Sequence, residues 1–293
     1  MRVVLVGKNS GMTLKTLDAL AARHEVVGLV ESAPRGKDAR GPLRRAASAV
    51  RHRLAGPLPL ERWARTRRVP FLRLARGPVG ALDELLRSAA PDLLVVASLS
   101  QLLPEATVAI PRLGAINLHP SLLPRYPGPF PILWQYLEFE RTFGVTVHRI
   151  DAREDAGDIL EQEPFDVAPG TPLPEVLDRS AAIGARLAAK AVDDLDAGRA
   201  EPRPQAGPRG PRARAVRRDE PLVDWERWPI ERVWHVMIGT APWLDPLPGW
   251  RAGSYERTAA SGAPGTVGRD EAGWYARHPE GKIRLVAAPG GTA

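Results

Sequence analysis

Three apolar runs without polar alternation, MRVVLVG at residues 1 to 7, EVVGLVES from Glu25, and DLLVVAS at 92 to 98, constrain the fold more than any other feature. A strand with one wet face alternates polar and apolar residues, whereas a run apolar at every position suits a strand buried on both sides. Helical patterns accompany two of them: MTLKTLDALAARH comes after the first, and ALDELLRSAA, residues 81 to 90, precedes the third. A further strand, GAINLH at 114 to 119, comes next. Strand, helix and strand in this order predict an α/β, Rossmann-like, mostly parallel sheet with helices on both faces. The first turn, GKNSG, lacks the G-x-G-x-x-G spacing, so no NAD or FAD site is inferred. What the layers do imply is a ligand site near the carboxyl ends of the strands.

With 293 residues and 44% hydrophobic content the chain can bury a full core and has room for one large and one small domain. No stretch approaches the roughly 18 to 20 apolar residues that a membrane span needs, and the N-terminus reads directly as a strand, so a soluble cytoplasmic protein with no membrane partner is expected. Cysteine is absent, which removes thiol nucleophiles, disulfides and Cys-ligated metals. A net charge of +7 favours anionic partners without choosing among nucleic acid, phosphorylated metabolites and polyglutamylated folate. Residues 31 to 77 concentrate that charge, with 13 Lys or Arg against three acidic residues. Within them, Pro42 to Gly56 has helical apolar spacing with Arg44, Arg45, Arg51 and Arg53 around it, which predicts a short basic helix; a solvated Arg-rich surface is the competing reading.

The strand-like GVTVHRI, 144 to 150, and a helix at about 175 to 198 complete a first domain over 1 to 198. Residues 199 to 218, dense in Pro, Arg and Gly, read as a linker. The remainder, 219 to 293, opens with a predicted helix in PLVDWERWPIERVWHVMIG and continues with the short strand candidates GTVGR, GWYARH and KIRLVAA, a small β domain. Five of the eight Trp lie between 225 and 250 and are expected to form its core rather than a base-stacking platform.

Chemistry concentrates in GAINLHPSLLPRYPGPFPILW, residues 114 to 134. A period of two puts Asn117 and His119 on one face of a strand, and Pro120 ends that strand, so both side chains belong at its carboxyl edge. Further on, GVTVHRIDAREDAGDIL supplies a strand, an acidic loop and a Gly turn that presents Asp155 and Asp158 around Gly157. Amide, imidazole and carboxylate together suit an amine attacking an acyl carbon: one donor for the developing oxyanion, one proton shuttle and one proton acceptor, with no metal required. Taken bare, N-x-H with a distant Asp is also what a hydrogen-bonded structural His looks like.

The two segments at their present spacing closely resemble the formyltransferase family that includes methionyl-tRNA formyltransferases, glycinamide ribonucleotide formyltransferases and sugar-nucleotide N-formyltransferases. The resemblance implies transfer of a formyl group from 10-formyltetrahydrofolate to an amine, with Asn117, His119 and Asp155 as the catalytic trio. It further implies that Leu99, Ser100, Gln101 and Leu102, with Ser121, Leu122, Leu123 and Pro124, border the folate, and that the acidic loop, including Asp151 and Glu154, meets the pterin. The C-terminal part resembles an abbreviated OB-like barrel of the tRNA enzymes. Two departures concern the acceptor: GKNSGMT stands where those enzymes have G-T-P-x-F-A, and Pro127 stands where an Arg is typical. On this basis the expected acceptor is a small-molecule amine, such as an amino-sugar nucleotide or a hydroxylamine. Methionyl-tRNA, gripped through the basic 31–77 segment, is the alternative, and a 10-formyltetrahydrofolate hydrolase or a non-catalytic binding protein are further ones.

Overall fold

A computed structural model describes residues 1–32, 59–241 and 243–288. The chain divides into two compact units, the first comprising 1–124, 145–163 and 178–208, the second 125–144, 164–177 and 209 onward. The basic helix expected over 42 to 56, with Arg44, Arg45, Arg51 and Arg53, lies outside the described residues.

The first unit is built on the strands β1 (Arg2–Gly7), β2 (Glu25–Ser32), β3 (Phe71–Leu74), β4 (Leu93–Val96), β5 (Ala115–His119), β6 (Thr142–Arg149) and β7 (Ile159–Asp166). They form a seven-stranded sheet in the order β3-β2-β1-β4-β5-β6-β7. β1 pairs in parallel with β2 on one side and β4 on the other, so the winding reverses between β1 and β4. After the single turn of α4 (Glu105–Val108), β5 continues parallel to β4. β6 runs antiparallel to β5. The alternation of the chain with helices announces a parallel sheet but not this reversal, because β5 returns to β6 through a Pro-rich loop and the short helix α5 (Pro131–Leu137).

Residue parity separates the two faces. Val4, Val6, Leu94, Val96 and Ala115 form one core cluster with Leu82 and Leu86 of the helix α3 (Gly80–Ala89). Of opposite parity, Leu118 of β5 and Met12 of α1 (Gly11–Ala21) lie against Gly184 of α6 (Leu173–Asp196). Fully burying one such aliphatic side chain contributes about 1.5–3 kcal/mol, so the dozen buried members of the first cluster dominate the stability of this face. α1 starts directly after β1: Ser10 caps it by accepting the Thr13 amide, and a Cβ on Gly7 would stand 2.3 Å from the Thr13 hydroxyl, so only glycine fits the turn.

Two elements fall in the basic segment. α2 (Pro59–Arg67) and β3 carry Glu61 and Arg73, and Arg73 bonds both Glu31 of β2 and Glu61, which also accepts Arg65. Asn9 donates to Glu31 and accepts the Leu60 amide. Part of the segment's positive charge is thus neutralised locally, by Glu31 and Glu61.

In the second unit, α5 packs near α7 (Ile230–Thr240), and the strands β8 (Trp250–Glu256), β9 (Val267–Asp270), β10 (Gly273–His278) and β11 (Gly281–Ala287) form an antiparallel sheet in the order β8-β11-β10-β9. Trp225, Trp228, Trp234, Trp250 and Trp274 pack on a core of Ile230, Val233, Met237, Ala276, Ile283 and Leu285, as expected of a structural Trp cluster. The helix expected through 221–239 begins only at Ile230. Pro229 has no amide proton to donate and its ring clashes with a preceding helical turn, so it serves as the N-cap. No helix among the described residues is long and apolar enough to cross a membrane.

Candidate active site

β5 ends at the edge of the sheet with Asn117 half-buried and His119 buried. Antiparallel pairing sets Asn117 directly opposite His148 and His119 opposite Thr146, and opposed residues share a face. Four polar side chains, Asn117, His119, Thr146 and His148, therefore line one side of two adjacent strands.

His148 organises its neighbours. Burial, reinforced by nearby His119, pushes its imidazole down to about 4, so the ring is neutral near pH 7. Nδ1 lies 2.7 Å from the Arg149 carbonyl, which can only accept; Nδ1 therefore carries the proton and Nε2 is the bare acceptor. Asn117 Nδ2 lies 3.2 Å from that Nε2, so the amide must turn its NH2 toward His148. One N–H is spent there and the other is aimed at Asp155, whose Oδ1 is 3.5 Å away.

Asp155 approaches from the loop after β6. Its Oδ2 is 3.6 Å from His119 Nδ1, and its Oδ1 lies 3.7 Å from His148 Nε2, a bare acceptor that gives it no hydrogen bond, so the carboxylate looks toward the Asn117 amide and His119. Its backbone sits in the left-handed region at φ 48°, a conformation that costs a non-glycine residue on the order of 1 kcal/mol and persists where surroundings enforce it. The structure thus brings Asn117, His119 and Asp155 together. It adds His148, which the motifs alone do not single out; its signal is present in GVTVHRI, where His148 shares strand parity with Thr146, but the register against β5 is not.

Thr146 and Gln162 hold the loop that follows β5. The Thr146 hydroxyl donates to the Ser121 carbonyl at 2.6 Å and accepts the Leu123 amide at 3.2 Å, while Gln162 donates to Thr146 Oγ1 and to the Leu123 carbonyl. Ser121 and Leu123 are buried, Leu122 and Pro124 half-buried, and the Leu123–Pro124 peptide is cis. The loop after β4 is held likewise: the Ser100 amide bonds Ser32, and Gln101 exchanges two hydrogen bonds with the backbone of Gly77, which turns its side chain onto that loop. Leu99 packs against the core and Leu102 is left 66% exposed. Asp151 is exposed and accepts Arg153, and Glu154 is half-buried.

A doubly wound sheet carrying these loops at the carboxyl ends of its middle strands defines the class of open α/β folds that bind ligands at that edge. Within that class the chain belongs to the formyl transferase family, whose sequence profile matches residues 1–192. It is 34% identical over 257 residues to a methionyl-tRNA formyltransferase of Pelobacter propionicus, covering 86% of this chain and 77% of that one. To the methionyl-tRNA formyltransferase of Anaeromyxobacter dehalogenans it is 32% identical over 244 residues, 83% and 74% of the two chains. In fold it is similar to an N-formyltransferase of Helicobacter canadensis, solved with folinic acid and dTDP-3-aminofucose, at 14% identity and a TM-score of 0.67 over 97% of this chain and 98% of that one.

Proposed function

We propose that this chain formylates the amino group of methionyl-tRNA, taking the formyl group from 10-formyltetrahydrofolate. The observation that carries the reading is the reach of the likeness: it covers 86% of the chain, well past residue 192 where the family profile ends, and so includes a stretch beyond the shared catalytic part. The small-molecule amine expected from the sequence becomes the second reading. Pro127 and the GKNSG turn still favour it, since both replace residues typical of the tRNA enzymes.

The donor fits what the chain presents. Two loops of fixed backbone flank the β5 edge, one carrying exposed Leu102 for an apolar ring face and the other the S-L-L-P turn. Bound there, 10-formyltetrahydrofolate supplies an activated one-carbon acyl group. The amine forms a bond to the formyl carbon and the bond from that carbon to the folate nitrogen breaks. The Asn117 N–H not held by His148, which faces Asp155 at 3.5 Å in the free site, turns to the formyl oxygen as negative charge develops. His119 stabilises the same charge or moves a proton. Asp155 orients His119 and accepts the proton that the amine must lose, directly or through water, and that proton passes to the folate nitrogen as it leaves.

The test is to incubate the protein with 10-formyltetrahydrofolate alone, with methionyl-charged initiator tRNA, and with an amino-sugar nucleotide, following tetrahydrofolate release. Release with charged tRNA and recovery of formylmethionine from it supports the proposal. Release with the amino sugar alone overturns it in favour of the second reading, and release without any acceptor points to hydrolysis.

A further inference from the structure

We infer that Gln205 is a positioning residue for Asp155, the side chain that locks the acidic turn of the site in its working conformation. The inference rests on the reading of Asp155 as the proton acceptor and assigns a task to a residue far away in sequence, in a stretch whose composition reads as a linker.

The turn from Asp155 to Asp158 is held on two sides. On one side it returns to the sheet: the Arg149 amide donates to the Asp158 carbonyl at 2.9 Å, and a Cβ on Gly157 would fall 2.0 Å from the Arg149 carbonyl, so the turn rides directly on the β6 backbone. On the other side lies Gln205. Its Nε2 is 3.0 Å from the Asp155 carbonyl and 2.9 Å from the Gly157 carbonyl. Two carbonyl oxygens can be met only by the amide nitrogen, whose two hydrogens are thereby both used on this one turn. Gln205 is half-buried in a run where its neighbours from Glu201 to Arg209 are otherwise exposed, and Arg203 anchors the run by exchanging two backbone hydrogen bonds, each 2.8 Å, with Ile159. The strand-like pairing at Arg203 sets the register, and Gln205, two residues on, delivers the amide.

The clasp matters because Asp155 occupies a left-handed backbone conformation that costs a non-glycine residue on the order of 1 kcal/mol, so the surrounding contacts keep it populated. A carboxylate 3.5 to 3.7 Å from Asn117, His119 and His148 depends on that backbone for its aim, and a displacement of about 1 Å at a reacting group can lower turnover by as much as 10²-fold. Gln205 acts through Asp155 without touching the reacting atoms.

The test compares Gln205→Met, which keeps the length and removes both donors, Gln205→Glu, which sets an acceptor against two carbonyls, and Asp155→Asn, in the full chain. Read-outs are amide hydrogen exchange, urea unfolding, and steady-state turnover with 10-formyltetrahydrofolate and methionyl-tRNA. Q205M is expected to speed exchange within residues 151–158 alone, to leave the unfolding midpoint nearly unchanged, and to lower kcat about tenfold with the KM for the donor within about twofold; Q205E does the same more severely. Unchanged exchange in 151–158 overturns the clasp, and so does normal kcat in Q205M beside an inactive D155N. Equal loss of kcat and of global stability reduces Gln205 to a structural residue and also overturns the inference. If D155N itself turns over normally, it is the reading of the site that fails, and the positioning role fails with it. Should the wild type formylate only the amino sugar, the acceptor alone was misassigned and the same kcat comparison runs on that substrate.

Discussion

Asn117 of β5 and His148 of β6 face each other across an antiparallel pair, and the neutral imidazole holds one amide N–H of the asparagine 3.2 Å from its Nε2. The pair converts a freely rotating amide into a donor with a fixed direction. Replacing His148 by Phe keeps an aromatic ring of similar size and removes the acceptor, so Asn117 should lose its orientation. Turnover is expected to fall about tenfold with donor KM little changed, as for loss of an interaction made in the transition state. Steady-state kinetics of a variant that unfolds at the wild-type urea concentration checks this; unimpaired kcat would show that Asn117 needs no such support.

The trio itself makes a steeper prediction. Asn117→Ala should leave the fold intact and lower turnover by about 10² or more, the usual contribution of one preorganised oxyanion donor. Asp155→Asn changes volume little and removes the proposed proton acceptor, so folate binding should persist while catalysis falls. Equilibrium binding of folinic acid measured beside turnover separates the two effects: joint loss of binding and folding would assign Asp155 a structural role.

Stability should depend on pH through two buried imidazoles. Burial lowers both His148 and His235 to about 4. His235 accepts the Gly170 amide at Nδ1, and its rings of contact are Tyr136 at 4.7 Å and Phe139 at 5.3 Å, so its Nε2–H is buried with no hydrogen-bond partner among the described residues. An unfolded His titrates near 6.5. As pH falls below that value the unfolded chain binds protons that the folded chain refuses, so the stability present in full above pH 6.5 declines between about 6.5 and 4. Each imidazole contributes up to about 3 kcal/mol across that window, since one proton bound only by the unfolded chain costs the fold about 1.4 kcal/mol per pH unit. Urea unfolding at pH 7.5 and pH 5 should show the loss, and His235→Gln should reduce it; a flat profile would mean that both imidazoles ionise freely.

Much of this is legible in the chain because burial writes itself into composition. Val3 to Val6 and Leu93 to Val96 are apolar at every position since helices cover both faces, and Asn117 and His119 announce a shared face by their spacing. Tertiary relationships are not legible. His148 looks like any strand residue until β6 is known to run antiparallel to β5 in the register that opposes it to Asn117. Gln205 sits among Pro and Arg, where local propensity indicates only an extended chain, and its partners are about fifty residues away. The acidic partners of Arg65 and Arg73 are hidden for the same reason: Glu31 is distant in sequence, and Glu61 meets Arg73 only because α2 packs on β3.

The acceptor can be separated by charge. If methionyl-tRNA is the substrate, cations of the 31–77 segment not already engaged by acids should meet its phosphates, and Arg65 and Arg73 are engaged by Glu31 and Glu61. Arg44, Arg45, Arg51 and Arg53, the cations of the predicted basic helix, lie outside the described residues and are tested together. Reversing all four to Glu should weaken tRNA binding strongly and flatten its salt dependence, because each phosphate contact released contributes about 0.7 to 0.9 log units of affinity per log unit of salt. The donor KM should not move, since none of the four belongs to the residues proposed to bind the donor or carry the chemistry. Filter binding of charged initiator tRNA between 50 and 200 mM salt, about the range over which such contacts are resolved, measures the slope for wild type and variant alike. For a small amine acceptor the four charges are solvated, each contributes only about 0 to 1 kcal/mol, and activity survives their reversal. A wild-type slope near zero, or a quadruple variant that still formylates methionyl-tRNA at the wild-type KM, would remove the basic segment from recognition of the acceptor.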